Sequence, residues 1–209
     1  MAQWFNLDAM LYYPYARFVK PSVVMPHFSV PDIRSINPHA LYDAGFKGVV
    51  FDKDNTLTRP YVLEIYEPLQ KTFDSFRDVF GIERLCIMSN SAGTRDDKDY
   101  LDASTIEEAL GVTVLRHHRK KPGGIQAVVD YFKCDPAELV MVGDRLFTDI
   151  AFGNRYGMLT IHTQCLTEEG DLGAAVSMRR GEVKLLEKLH SKRFSPLFHE
   201  RHKKELCSK

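Results

Sequence analysis

No stretch of this 209-residue chain approaches the roughly 18 uninterrupted apolar residues that a membrane-crossing helix needs. The expectation is a chain that does not cross a bilayer on a helix. Cysteine is sparse and scattered: Cys86, Cys134, Cys165 and Cys207 form no Cys-x-x-Cys pair. That spacing excludes a zinc knuckle and a disulfide framework and suits a reducing compartment. The N-terminus lacks the charged start, apolar run and small-residue cleavage site of a secretory leader. With only Arg17 and Lys20 as early bases, it also matches an organelle transit peptide poorly. There is no internal repeat and no low-complexity segment. Neither sign of charge is in excess, since 28 basic residues balance 28 acidic ones, which argues against a nucleic-acid coat protein. The balance is not uniform. Residues 179–209 carry ten basic side chains against four acidic ones, so an acidic core precedes a basic tail.

What is present is a recurring pair of patterns, a short apolar run followed by a longer amphipathic one. The runs are 46–51, 84–88, 112–115, 139–142 and 158–162, each of strand length and bounded by glycine or polar residues. Near-continuous apolar runs suit strands buried on both faces. Helical patterns lie between them at 67–80, 99–110, 123–132 and 148–156, with Gly81 and Gly111 where helix C-caps belong. This alternation predicts an α/β fold, a doubly wound parallel sheet of Rossmann-like type. In such sheets ligands bind beyond the carboxyl ends of the strands.

Chemistry-bearing residues follow the apolar runs as that rule requires. Asp52-Lys53-Asp54-Asn55-Thr56 leaves the first run, and two carboxylates at i and i+2 can converge on one divalent cation. Ser89-Asn90-Ser91 leaves the second and offers a hydroxyl and an amide to phosphate oxygens. Lys121 precedes Pro122, which fits a first helical turn, and would lie beside an N-terminus that favours anions. Gly143-Asp144 and Asp149 follow the fourth run. Each piece alone reads as a solvated turn or a helix cap. Four carboxylates gathered at one sheet edge, however, would repel one another without a metal ion or a lysine.

In this order, Asp-x-Asp-x-Thr, Ser, Lys and Gly-Asp-x4-Asp resemble the four motifs of haloacid dehalogenase-type phosphatases over about 49–163. The resemblance implies that Asp52 is the nucleophile and forms an aspartyl-phosphate. Asp54 would be the general acid and then the base, with Ser89 and Lys121 binding the transferring phosphoryl group. Asp52, Asp54 through its carbonyl, Asp144 and Asp149 would position Mg2+. Neither segment between motifs, 55–88 or 91–120, leaves room for a folded cap domain. Closer matching of Lys20-Pro21-Ser22-Val23-Val24, Lys53, Leu115-Arg116-His117, Lys120-Lys121-Pro122-Gly123 and Arg145-Leu146-Phe147 is similar to the eukaryotic mitochondrial phosphatidylglycerophosphate phosphatase family. Such enzymes make phosphatidylglycerol on the way to cardiolipin. This implies a phospholipid substrate at an anionic membrane surface, with a mitochondrial protein peripheral on the inner membrane.

Three segments follow: an aromatic-rich 1–45, a phosphatase core over 46–178 and a basic helical tail over 179–209. Seven of the 23 aromatics lie in the first 28 residues, as an interfacial anchor or as a cover for the sheet edge. In the tail Val183, Leu186 and Leu189 recur at helical spacing with Lys184, Lys188 and Lys192 elsewhere on the wheel. That helix either lies on anionic lipid or packs on the domain. Arg116, His117 and Lys120 are candidates for a second phosphate of the substrate, or form a solvated loop. The competing functions are a phosphatase of soluble phosphomonoesters or phosphoproteins and a non-catalytic adaptor. Oligomeric state is not readable.

Overall fold

The computed structural model describes residues 14, 15 and 19–208. Six strands form one sheet: β1 (Phe28–Val30), β2 (Gly48–Phe51), β3 (Leu85–Ile87), β4 (Thr113–Val114), β5 (Leu139–Gly143) and β6 (Leu159–Thr163). Their order is β1-β6-β5-β2-β3-β4, and every pairing is parallel. β2, β3 and β5 are buried along their whole length, as their unbroken apolar runs demand. The chain runs outward from β2 to β3 and β4, then crosses back to β5 on the other side. The β2–β5 boundary is therefore the switch point at which a crevice opens.

Among the described residues from 19 onward, six α-helices cover the sheet: α1 (Pro38–Asp43), α2 (Gln70–Phe80), α3 (Leu101–Leu110), α4 (Ile125–Phe132), α5 (Ala151–Tyr156) and α6 (Gly173–Ser191). Phe73, Phe76 and Phe80 recur on one face of α2 and pack with Val49, Phe51, Val140 and Val142. The alternate residues Val50, Cys86 and Met141 meet Val128 of α4 and Phe152 of α5 on the opposite face. α3 ends on Gly111, whose φ of +62° is the left-handed C-cap geometry that a glycine adopts without strain.

Within the sheet and its crossovers, β1 and the start of α4 depart from the sequence reading. β1 lies between Pro26 and Pro31 and pairs with β6 at the sheet edge, a position that tolerates flanking prolines. α4 begins at Ile125, not at Gly123. Pro122 sits in the turn before it behind a cis Lys121–Pro122 peptide.

The ends of the chain are built into this body. Val23, Val24 and Met25 pack with Leu146, Phe147 and Ile150 and with Leu185, Leu186 and Leu189 of α6. The apolar face of α6 is thus consumed by the domain, while Val183 stays exposed. Beyond α6 the chain returns beneath α1, where Cys207 bridges Ile36 and the Ser208 N–H donates to the Ser35 carbonyl. His199 packs between the Phe46 ring and His27. The aromatics Trp4, Phe5, Tyr12, Tyr13 and Phe18, on which an N-terminal anchor would depend, lie outside the described residues.

A helix packed in this way contributes to stability. Leu186→Ala should lower the free energy of unfolding by about 2–5 kcal/mol, the usual cost of a buried leucine. Urea denaturation checks this. A change within about 0.5 kcal/mol would mean that α6 behaves as a solvated tail.

Candidate active site

Three carboxylates converge beyond the switch point. Asp52 leaves β2, and its N–H still donates to the Val142 carbonyl at 2.8 Å, which prolongs the pairing with β5 by one residue. Asp144 follows β5, and Asp149 comes from the π-helical turn Leu146–Ile150 that leads into α5. One oxygen from each of Asp52, Asp144 and Asp149 lies within 4.8 Å of the others. Gly143 makes this approach possible, since a β-carbon there would stand 2.4 Å from the Asp149 carboxylate.

Lys121 enters from the turn before α4 and is 1% exposed. Its Nζ lies 2.7 Å from Asp52 Oδ1 and 2.6 Å from Asp149 Oδ1. Burial disfavours its charge, but Asp149 and Asp52 outweigh that and hold the ammonium above its ordinary range. Burial and the neighbouring carboxylates push Asp52 up to about 6, against the pull of Lys121. Burial raises Asp144 further, to about 8, although Arg179 opposes the shift. Such pressure on acidic groups is the signature of a site short of positive charge. The donor set is hard oxygen throughout, which fits a small divalent cation held by Asp52, Asp144 and Asp149.

Arg179 is the residue that sequence reasoning missed. It projects from α6, donates from Nε to Asp144 Oδ2 at 2.7 Å, and reaches Asp171 Oδ2 from Nη1 at 2.9 Å. Glu182, one turn on, receives Arg145 at 2.8 Å and the Leu146 N–H at 2.7 Å. Buried Asn55 ties the loop after β2 to this bank, accepting from the Thr167 N–H and donating to Asp171. No motif spacing marks Arg179, because it stands 35 residues beyond Asp144 in a segment read as tail.

The other expected residues fall in several places. The Asp54 carboxylate is not one of the three that cluster, and it accepts from Lys53 Nζ at 2.6 Å and from the Tyr61 N–H at 2.9 Å. Ser89 is buried, with its Oγ 3.0 Å from that of Ser91. Asn90 accepts the Lys121 N–H through Oδ1 at 2.7 Å and so fixes the backbone that carries the lysine. His117 is buried between the carbonyls of Arg119 and Ser89, and burial pulls its imidazole below the ordinary range. Arg116 is turned to Glu107 of α3, and Lys120 pairs with Asp96 at 2.6 Å. The structure thus brings together Asp52, Lys121, Asp144 and Asp149, and sets Arg116 and Lys120 in ion pairs of their own.

Removing the lysine exposes the underlying repulsion. In metal-free protein, Lys121→Met should cost about 3–5 kcal/mol of stability, the usual price of one partner lost from a buried charge pair. Urea denaturation with and without Mg2+ checks this. Added Mg2+ should restore more stability to the variant than it adds to the parent, and equal gains would contradict the shared-charge account.

The family model of the mitochondrial PGP phosphatases matches residues 14–167. Phosphatidylglycerophosphate phosphatase 1, chloroplastic, of Chlamydomonas reinhardtii is 49% identical over 163 residues, covering 77% of this chain and 60% of the relative. Phosphatidylglycerophosphate phosphatase 1, chloroplastic/mitochondrial, of Arabidopsis thaliana is 46% identical over 178 residues, covering 84% and 51%. The chain therefore spans little more than half the length of these two relatives. The mitochondrial phosphatidylglycerophosphatase GEP4 of Saccharomyces cerevisiae is 39% identical over 157 residues, covering 73% of this chain and 80% of the relative. Asp52, Lys121, Asp144 and Asp149 all lie within the family match, whereas Arg179 and Glu182 lie beyond it. On these matches, the chain belongs to the mitochondrial PGP phosphatase family.

Proposed function

We propose that the chain hydrolyses the terminal phosphomonoester of phosphatidylglycerophosphate, releasing phosphatidylglycerol and inorganic phosphate. The observation that carries this reading is the buried Lys121 ammonium between Asp52 and Asp149, with Asp144 beside them at the carboxyl edge of the sheet. The relatives named for this activity give the substrate class.

In this reading an Asp52 oxygen attacks phosphorus while the bond from phosphorus to the glycerol oxygen breaks. Asp54, half-buried on the loop after β2, protonates the departing alkoxide. Water then attacks the aspartyl-phosphate, Asp54 takes its proton, and phosphate leaves with Asp52 restored. Lys121 and the Ser89 hydroxyl face the phosphoryl oxygens as charge grows on them. Mg2+, held by Asp52, Asp144 and Asp149 when bound, would supply positive charge to the phosphoryl oxygens. The Asp54 carbonyl is the fourth expected ligand. Arg116, His117 and Lys120, on the segment after β4, are the candidates for the second phosphate of the head group, which Arg116 and Lys120 would meet by exchanging Glu107 and Asp96 for it.

Between the motifs the described chain carries α2 and β3, then α3 and β4, which supports a site without a cap domain. No described helix is long and apolar enough to cross a membrane. The names of the Saccharomyces cerevisiae and Schizosaccharomyces pombe relatives support a mitochondrial location, and a peripheral place on the inner membrane is part of the same proposal.

Phosphate release from phosphatidylglycerophosphate in mixed micelles tests the reading. Asp52→Asn should reduce turnover by about 1,000-fold or more, as loss of a nucleophile does, and chelation should abolish it. Soluble phosphomonoesters or phosphopeptides turned over faster than the lipid would replace this substrate. An unchanged rate in Asp52→Asn would remove the mechanism.

A further inference from the structure

Beside the candidate active site, three consecutive apolar side chains stand out of the surface. Tyr61 is 59% exposed, Val62 38% and Leu63 41%. They form the tip of a closed loop. At its base the Tyr66 N–H donates to the Leu57 carbonyl at 2.9 Å, and at its turn the Val62 N–H donates to the Arg59 carbonyl at 3.2 Å. The Arg59 guanidinium lies over the Tyr66 ring, 5.2 Å from its centroid. The core beneath is already filled by Leu57 and Leu69, both fully buried, so the tip is not left over from folding.

This loop is fastened to the chemistry. The Tyr61 N–H donates to the Asp54 carboxylate at 2.9 Å, and Tyr61 holds a left-handed backbone, φ +62°, that a bulky residue seldom adopts. On the other bank, Leu172 and Met178 are exposed next to Asp171 and Arg179, the residues that link α6 to Asn55 and Asp144. Asn55, the neighbour of Asp54, donates to Asp171 at 3.3 Å, which sets the loop after β2 beside the segment that leads into α6. Exposed apolar side chains thus occur on both segments that bear on the site.

We infer that the 61–63 loop enters the boundary between head groups and acyl chains of a lipid bilayer and holds the site mouth against the membrane. This rests on the lipid substrate proposed above, because a phosphomonoester whose acyl chains stay in the bilayer reaches Asp52 only if the mouth meets the surface. Tyrosine suits the interface and valine and leucine the acyl boundary. Electrostatic attraction does not recommend this face. Arg59 and Arg180 stand among Glu64, Glu67, Glu168 and Glu169, and Arg180 is already paired with Glu168. Apolar insertion rather than charge is the driving term here, so binding through this loop is insensitive to salt. The basic α6, with its apolar face buried in the domain, is not the inserting element.

The test uses the full chain and vesicles of phosphatidylcholine containing phosphatidylglycerol, with partition read by sedimentation at low and high salt. Val62→Ser combined with Leu63→Ser should weaken partition by about tenfold at both salt concentrations, with an unchanged thermal melt because both side chains are exposed. Leu63→Trp, in a Trp4→Phe background that leaves it as the one indole, should partition at least as well as the parent. Its fluorescence should be quenched by brominated acyl chains. Unchanged partition of the double variant overturns the inference, as does an unquenched indole. Binding that salt alone abolishes would overturn it in favour of basic residues. Self-association lost in the double variant without vesicles would make the loop a protein interface instead. Turnover of short-chain phosphatidylglycerophosphate by the parent, measured alongside, judges the substrate reading separately from the loop.

Discussion

Three carboxylates from Asp52, Asp144 and Asp149 share a space of less than 5 Å at the end of a buried sheet, and the surrounding structure answers that crowding. Lys121 is drawn completely out of water to stand between two of them. Arg179 comes from the last long helix to meet the third. Gly143 gives up a side chain so that Asp149 can approach. Asn90 holds the lysine's backbone, while Glu182 holds Arg145 and the turn that carries Asp149. Each arrangement is local, yet together they tie β2, β3, β5, α4 and α6 to one charge problem.

A buried ion network of this kind is a poor source of stability, because desolvation of its members costs several kcal/mol apiece. Its value is chemical. A carboxylate attacks an anionic phosphate only where positive charge offsets both, and a preorganised ammonium supplies that charge without reorganisation during the reaction. The upward pressure on Asp52 and Asp144 shows that Lys121 and Arg179 do not satisfy the cluster completely. A divalent cation would relieve the remaining repulsion. The same physics that assembles the cluster would leave it receptive to a divalent cation and, in the proposed reaction, to a phosphate.

The sheet and the site's centre were legible because a parallel α/β fold writes its chemistry at the ends of apolar runs. Asp52 after β2, Ser89 after β3 and Asp144 after β5 could be placed from run length and turn residues alone. β1 escaped because a three-residue edge strand between prolines carries almost no periodicity. The start of α4 was misplaced because Pro122, which favours a first helical turn, lies in the turn that precedes the helix. α6 was the larger gap. Its charges are counted with a basic tail, whereas Arg179 and Glu182 lie inside, paired with Asp144 and Arg145. A charge sum cannot distinguish a solvated base from one spent on a buried acid. Asp54 shows the same limit, since spacing put its carboxylate with the cluster, whereas it is engaged by Lys53 and the Tyr61 amide.

The central claim is that the carboxylate held by Lys121 attacks phosphorus. Rapid acid quenching of the enzyme with phosphatidylglycerophosphate labelled in its terminal phosphate measures this directly, followed by peptide mapping and treatment with hydroxylamine. The account predicts a hydroxylamine-labile label on the peptide containing Asp52, formed and lost at rates compatible with turnover. Turnover with no covalent label, or a label on a different residue, would contradict it.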